Sequence, residues 1–115
     1  MSKRIGIILI VIGALHTLLG LVKNSSVFME MIADGMWNTA QTAERGLAFW
    51  FTFACILFMI LGYAVHYLER QSILAPKPLG WFLLGGTLLG VVFIPASGFW
   101  ALLLPAILIL SRKQA

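Results

Sequence analysis

Hydrophobic residues run in four long blocks along the chain, and polar residues gather between them. The first block is Ile5 to Val22, about 18 residues, and the second is Gly46 to Leu68, 23 residues. The third runs from Leu79 to Ile94 and the fourth from Ala96 to Leu110, so each has 15 or 16 residues. A helix needs about 20 apolar residues to cross a hydrocarbon core of roughly 30 Å. The first two blocks fit that length. The last two give only about 22–24 Å of helix at 1.5 Å per residue. Pro95, Ser97 and Gly98 break the run between them without any charge. Residues 79–110 are therefore expected to form a tight helical hairpin, with a re-entrant hairpin as the alternative. Either form returns the chain to the side it left.

The connector from Lys23 to Arg45 has its own pattern. Phe28, Met31 or Ile32, Met36 and Ala40 recur at helical spacing, while Glu30, Asp34, Asn38 and Gln41 fall on another face. This predicts a short amphipathic helix lying on the outer surface, with a break at Asp34-Gly35. It reads as an interfacial helix with a solvated acidic face, or as a lid whose acidic edge faces a pocket. The fold expected is all-α: one domain over residues 1–115, a polytopic membrane four-helix bundle with an interfacial helix between spans one and two.

Composition supports a membrane class. The chain is 61% apolar and 10% charged, and its mean hydropathy is +0.99. Soluble domains carry about 25% charged residues, so this chain has too few charges to cover a water-facing surface. Soluble and disordered classes are excluded on that ground. The formal charge is +4. The basic residues sit at the ends of the apolar blocks, which is a topology signal and not a nucleic-acid surface. With the N-terminus cytoplasmic, Lys3, Arg4, Arg70, Lys77, Arg112 and Lys113 are inside, and only Lys23 and Arg45 are outside. Both termini are then cytoplasmic. Trp37, Trp50 and Trp100 fall near the outer interface and Trp81 near the inner one, where an indole is favoured. Lys3 and Arg4 ahead of an apolar run resemble a secretion signal. The run is nearer a full span, and no convincing small-x-small cleavage site follows, so an uncleaved first span is expected.

Small residues mark the helix contacts. Gly6, Gly13 and Gly20 recur every seven residues in the first block, as do Ala48, Cys55 and Gly62 in the second. Gly86 and Gly90 stand four apart in the third. Between apolar helices in lipid, association depends on close backbone approach, which small residues allow. The stripes fit a compact bundle, or equally a homodimer face. The single cysteine has no disulfide partner in the chain and reads as a packing residue.

The polar constellation centres on His16. It shares the Gly13–Gly20 stripe and so faces protein. It lies about six residues from the outer end, roughly 9–10 Å deep. An ionisable group at that depth is a functional hypothesis. The plainer reading is a neutral imidazole bonded to a backbone carbonyl or to Thr87. Thr17 lies beside it and can bond back to its own helix. Glu30, Asp34, Asn38, Glu44, Arg45 and Ser97 qualify as partners by topology. Arg45 is expected to pair with Asp34 or Glu44, or to act as a plain interfacial anchor. His66, near Tyr63, Tyr67 and Glu69, is about 15 Å in depth from His16 and reads as an interfacial polar residue. No metal ligand set, cofactor motif or catalytic motif stands out. The absence of a mid-membrane carboxylate counts against a proton-coupled exporter.

Four segments together carry a family resemblance: Gly13-Ala-Leu-His16-Thr17-Leu-Leu-Gly20, Asp34-Gly35-x-x-Asn38, Arg45-Gly-Leu-Ala-Phe49-Trp50-Phe51 and Pro95-Ala-Ser97-Gly98-Phe99-Trp100. In order and spacing the chain resembles uncharacterised bacterial four-span membrane proteins of the domain-of-unknown-function type. More distantly it is similar to DoxX-like four-helix membrane bundles. The resemblance implies a bacterial inner-membrane protein and carries no activity. Topology adds that His16, Thr17, Asp34, Asn38, Arg45, Trp50, Ser97 and Trp100 all fall in the outer half. They are the expected binding residues of an outward-facing pocket for a small amphipathic or lipid-like molecule. The rival expectations are an accessory subunit of a membrane complex, a membrane enzyme on a lipid or quinone, and a small transporter. The bilayer, such a ligand, and a homodimer or larger complex are the partners implied; nucleic acid is not.

Overall fold

The computed structural model describes residues 4–93 and 98–111. The first apolar block becomes α1, Ile5–Lys23. The second becomes α3, Ala43–Arg70, with α2, Ser25–Ala33, between them. The third becomes α4, Lys77–Phe93, and the fourth a 3-10 turn, Gly98–Leu102, leading into α5, Leu103–Ser111. No strand occurs among the described residues. Two helices, α1 and α3, are long and apolar enough to cross a membrane. The last two blocks give shorter pieces: α4 has 17 residues and α5 nine. Pro105 stands in the first turn of α5 and has no N–H to give to a preceding carbonyl, which suits the change from 3-10 to α geometry there.

The helix ends follow from sequence. Thr42 caps α3, its hydroxyl accepting the Arg45 N–H at 3.2 Å. At the end of α2, Gly35 N–H bonds Ile32 O and Met36 N–H bonds Met31 O, with Gly35 at φ +95°. That pair of bonds around a left-handed residue is a Schellman stop. The end of α3 repeats it: Ser72 N–H bonds Glu69 O and Ile73 N–H bonds Leu68 O, but the left-handed residue, at φ +61°, is Ser72.

α1 continues almost directly into α2. Asn24 N–H bonds Gly20 O and Phe28 N–H bonds Asn24 O, so i→i−4 bonding carries across the joint. The helical spacing expected for the connector holds only in its first part: Phe28, Glu30, Met31 and Ile32 lie on α2, whereas Met36, Asn38, Ala40 and Gln41 follow its stop at Asp34-Gly35 in turn and loop.

α1 and α3 pack antiparallel through their small residues. A Cβ on Gly6 would stand 2.6 Å from Gly62 O, and one on Gly62 would stand 2.8 Å from Gly6 O. A Cβ on Gly13 would meet Cys55 O at 2.8 Å, and one on Gly20 would meet the Phe51 ring at 2.8 Å. Gly6, Gly13 and Gly20 of one stripe and Cys55 and Gly62 of the other therefore lie in one contact, with the backbones touching, while Ala48 packs against α2. α4 folds back on α5: a Cβ on Gly80 would be 2.9 Å from Ile109 Cγ2 and from Leu110 Cγ. The glycine face of α4 differs. Among the described residues nothing comes within 4 Å of a Cβ placed on Gly85 or Gly86, so none of the described helices seats on this part of the third block's small-residue stripe.

The core is uneven. Ile5, Leu9, Val65, Leu83, Ala106 and Ile109 make one buried cluster that joins α1, α3, α4 and α5. A smaller one joins Val27 and Met31 of α2 to Ala48 of α3. On α1 the buried residues are Ile5, Gly6, Leu9, Gly13 and Gly20. Its exposed ones include Ile7, Val11, Leu15, Leu18, Leu19 and Val22. Beyond Leu9, large side chains face out and glycines face in, the reverse of a water-soluble core.

Candidate functional site

Arg45 organises the outer end. Standing in the first turn of α3, it sends its side chain back over the connector. Nη2 donates to Asp34 Oδ2 at 2.8 Å, and Nη1 donates to Thr39 O at 3.1 Å. Glu30 Oε2 lies 3.8 Å from Nη2. Asp34 is thus the partner in the closer of its two ion pairs. Glu30 shares the guanidinium, and Glu44 makes no ion pair with it. A planar guanidinium can hold several acceptors at once, which an ammonium does with less geometric control.

His16 is half-buried and bonds its own helix: Nδ1 to Ile12 O is 2.8 Å. A carbonyl only accepts, so Nδ1 carries a proton, and in the tautomer with one proton Nε2 is an acceptor. This is the backbone-carbonyl alternative, and Thr87 is not its partner. Thr17 also bonds back, its hydroxyl donating to Gly13 O at 2.7 Å and touching Met59 Sδ at 3.9 Å.

The other expected site residues scatter. Asn38 Oδ1 accepts from Gln41 Nε2 in the exposed turn after α2. Trp50 is exposed and makes edge contacts with Phe49 and Phe53. Trp100 is exposed on the 3-10 turn. Ser97 lies outside the described residues. The structure thus brings Asp34 and Arg45 together. No hydrogen bond links His16, Thr17, Asn38 or Trp50 to that pair among the described residues.

A groove opens elsewhere. Phe58 and Leu61 of α3 face Leu79, Phe82, Leu83, Gly86 and Thr87 of α4, with Leu102 at one end, around a volume of about 300 Å³. That is the lower end of the range for small-molecule sites. Thr87 is 0% exposed, and its hydroxyl has no hydrogen-bond partner. None of the seven expected outer-half residues that the structure describes lines this groove.

The residue that sequence reasoning missed is Glu69. It is only 2% exposed. Its Oε1 accepts the Gly6 N–H at 2.8 Å and its Oε2 the Ile5 N–H at 3.2 Å. These are two of the N–H groups a helix start leaves unsatisfied. A negative carboxylate there also meets the positive end of the helix dipole. Its neighbour His66 presents its backbone to Gly6, and its Nδ1 is buried without a partner. The signal available was the position of Glu69 one full α1–α3 register from the Gly6–Gly62 contact. No group of three His, Cys, Asp or Glu that could hold a metal occurs among the described residues.

These features define a small all-α protein with two helices of membrane-crossing length and apolarity. The chain belongs to a family of unknown function (DUF6463), whose model matches residues 1–115. Neither the curated proteins nor the solved structures contain a match to the chain.

Proposed function

We propose that this is an integral membrane protein that takes the apolar part of a small amphipathic or lipid-like molecule into the α3–α4 groove. The observation that carries the membrane reading is the inversion along α1 beyond Leu9, where Val11, Leu15, Leu18, Leu19 and Val22 are exposed while Gly13 and Gly20 are buried. In lipid such a surface has no cost, and the glycines supply the contact. The groove supports the binding reading because its walls are apolar and Gly86 leaves its floor open. In this reading the helices form a four-helix bundle of a bacterial inner membrane. The α4–α5 hairpin then crosses or re-enters beside the α1–α3 pair.

The outer residues His16, Thr17, Asp34, Asn38, Arg45, Trp50, Ser97 and Trp100 are the alternative seat for the same molecule. His16 Nε2, an acceptor in the tautomer with one proton, favours it. A second reading is an accessory subunit of a membrane complex. The bare face at Gly85 and Gly86 favours that one, because a partner helix could approach closely there.

Native mass spectrometry in mild detergent separates these. The expected result is a discrete bound mass on wild type that survives in His16→Leu and is lost in Gly86→Leu, whose side chain fills the groove. Loss in His16→Leu alone would move the site to the outer end. A bare chain in all three would remove the binding reading and leave the subunit.

A further inference from the structure

The turn after α2 is built in an unusual way. Gly35, Met36 and Asn38 all have left-handed backbones, at φ +95°, +68° and +55°. Trp37 N–H donates to Gly35 O at 2.7 Å, closing a three-residue γ-turn over Met36. A γ-turn with positive φ is strained, and more so at a bulky residue. Thr39 Oγ1 bonds Met36 O, and Gln41 bonds Asn38. Arg45 holds both ends of the turn, through the Asp34 carboxylate and the Thr39 carbonyl. What this frame presents is Trp37, 91% exposed, beside Met36.

α2 carries the same surface onward. Val27 and Met31 are four apart and buried against Ala48. Met29 and Ile32 lie on the opposite side of the helix, and both are exposed. The helix thus has a second apolar face that the described residues do not cover.

Depth identifies the cover. Arg45 immediately precedes the apolar block 46–68 of α3, and Lys23 ends that of α1. The turn is tied to the Arg45 guanidinium by bonds of 2.8 and 3.1 Å. It therefore lies within about one side-chain length of the end of the apolar helix, while the headgroup layer on each face of a bilayer is roughly 5–8 Å thick. The exposed aromatics Phe49, Trp50 and Phe53 begin the lipid-facing surface just below it. An indole is favoured at that boundary.

We infer that the turn at Gly35–Thr39 is a bilayer anchor: Trp37, with Met36 and the Met29/Ile32 face of α2, inserts into the headgroup layer of the bilayer the protein spans, and Arg45 sets its position. This rests on the membrane reading above. It assigns Arg45 and Asp34 to positioning the anchor.

Single-tryptophan fluorescence in phosphatidylcholine vesicles tests it on the full chain. One version keeps only Trp37 and another only Trp50, the remaining tryptophans being replaced by Phe. Lipids brominated near the headgroup should quench Trp37 more than lipids brominated near the bilayer centre. Arg45→Ala should lower that quenching roughly twofold while Trp50 quenching stays the same, which also shows that the helices remain inserted. If iodide in the buffer quenches Trp37, brominated lipids do not, and Trp50 is still quenched by lipid, the anchor is refuted and the membrane reading stands. If neither tryptophan is quenched by lipid, the membrane reading itself falls. Unchanged Trp37 quenching in Arg45→Ala would refute the role of Arg45.

Discussion

The Glu69 carboxylate sits on the N-terminus of α1, with Oε1 2.8 Å from the Gly6 nitrogen and Oε2 3.2 Å from that of Ile5. A side chain from the end of one helix thus caps the start of another, more than sixty residues away in sequence. Both N–H groups and the carboxylate are buried, so none can turn to water instead. Glu69→Gln keeps the shape but replaces one acceptor oxygen by a donor, and should cost about 1–3 kcal/mol. Glu69→Ala removes both acceptors and should cost at least as much. Thermal unfolding in detergent, followed by circular dichroism, measures both. A Glu69→Ala variant as stable as wild type would show that the cap contributes nothing.

The glycines divide into two kinds that the same substitution tells apart. Gly62→Ala places a methyl 2.7 Å from Ile10 N and 2.8 Å from Gly6 O. Neither backbone can move without separating the helices, so a loss of about 1–3 kcal/mol is expected. Gly86→Ala meets nothing within 4 Å. It should leave stability unchanged or raise it by up to about 1 kcal/mol through helix propensity. Equal effects at the two positions, in the same unfolding assay, would contradict this packing.

The two Schellman stops make opposite predictions. Gly35 already suits its left-handed position, so Gly35→Ala should destabilise by about 1 kcal/mol. Ser72 occupies the equivalent position with a Cβ, so Ser72→Gly should stabilise by up to about 1 kcal/mol. Melting temperatures of the two variants, compared with wild type, give the signs directly.

His16→Leu should fold normally. Among the described residues the imidazole bonds only its own helix, at Ile12 O, and that carbonyl keeps its place in the helix ladder without it. A change in stability within about 1 kcal/mol is expected. A larger loss would mean that His16 holds a contact with another helix.

The helices of this protein were largely legible in its sequence. Apolar blocks of the right length become α1 and α3 because a continuous run of large aliphatics favours helix wherever backbone groups must bond internally. The seven-residue stripe of Gly6–Gly20 also meets Cys55 and Gly62 of the other stripe, since period alone puts each stripe on one face of its helix, while Ala48 packs against α2. Arg45 with Asp34 was one of the two expected pairings, while Glu30, which shares the guanidinium, was not among them, and the break at Asp34-Gly35 followed from glycine's access to positive φ. Tertiary structure decided the rest, because it depends on the register and placement of helices far apart in the chain. It chose Asp34 over Glu44 for Arg45 and returned His16 to its own helix. Gly85 and Gly86 were left uncovered even though Gly86 belongs to a small-residue stripe like those that pack. Glu69 became a cap where the one-dimensional pattern showed only a charge at a helix end. A periodic pattern fixes which face of a helix is small, apolar or charged, whereas only the packed chain fixes what that face meets.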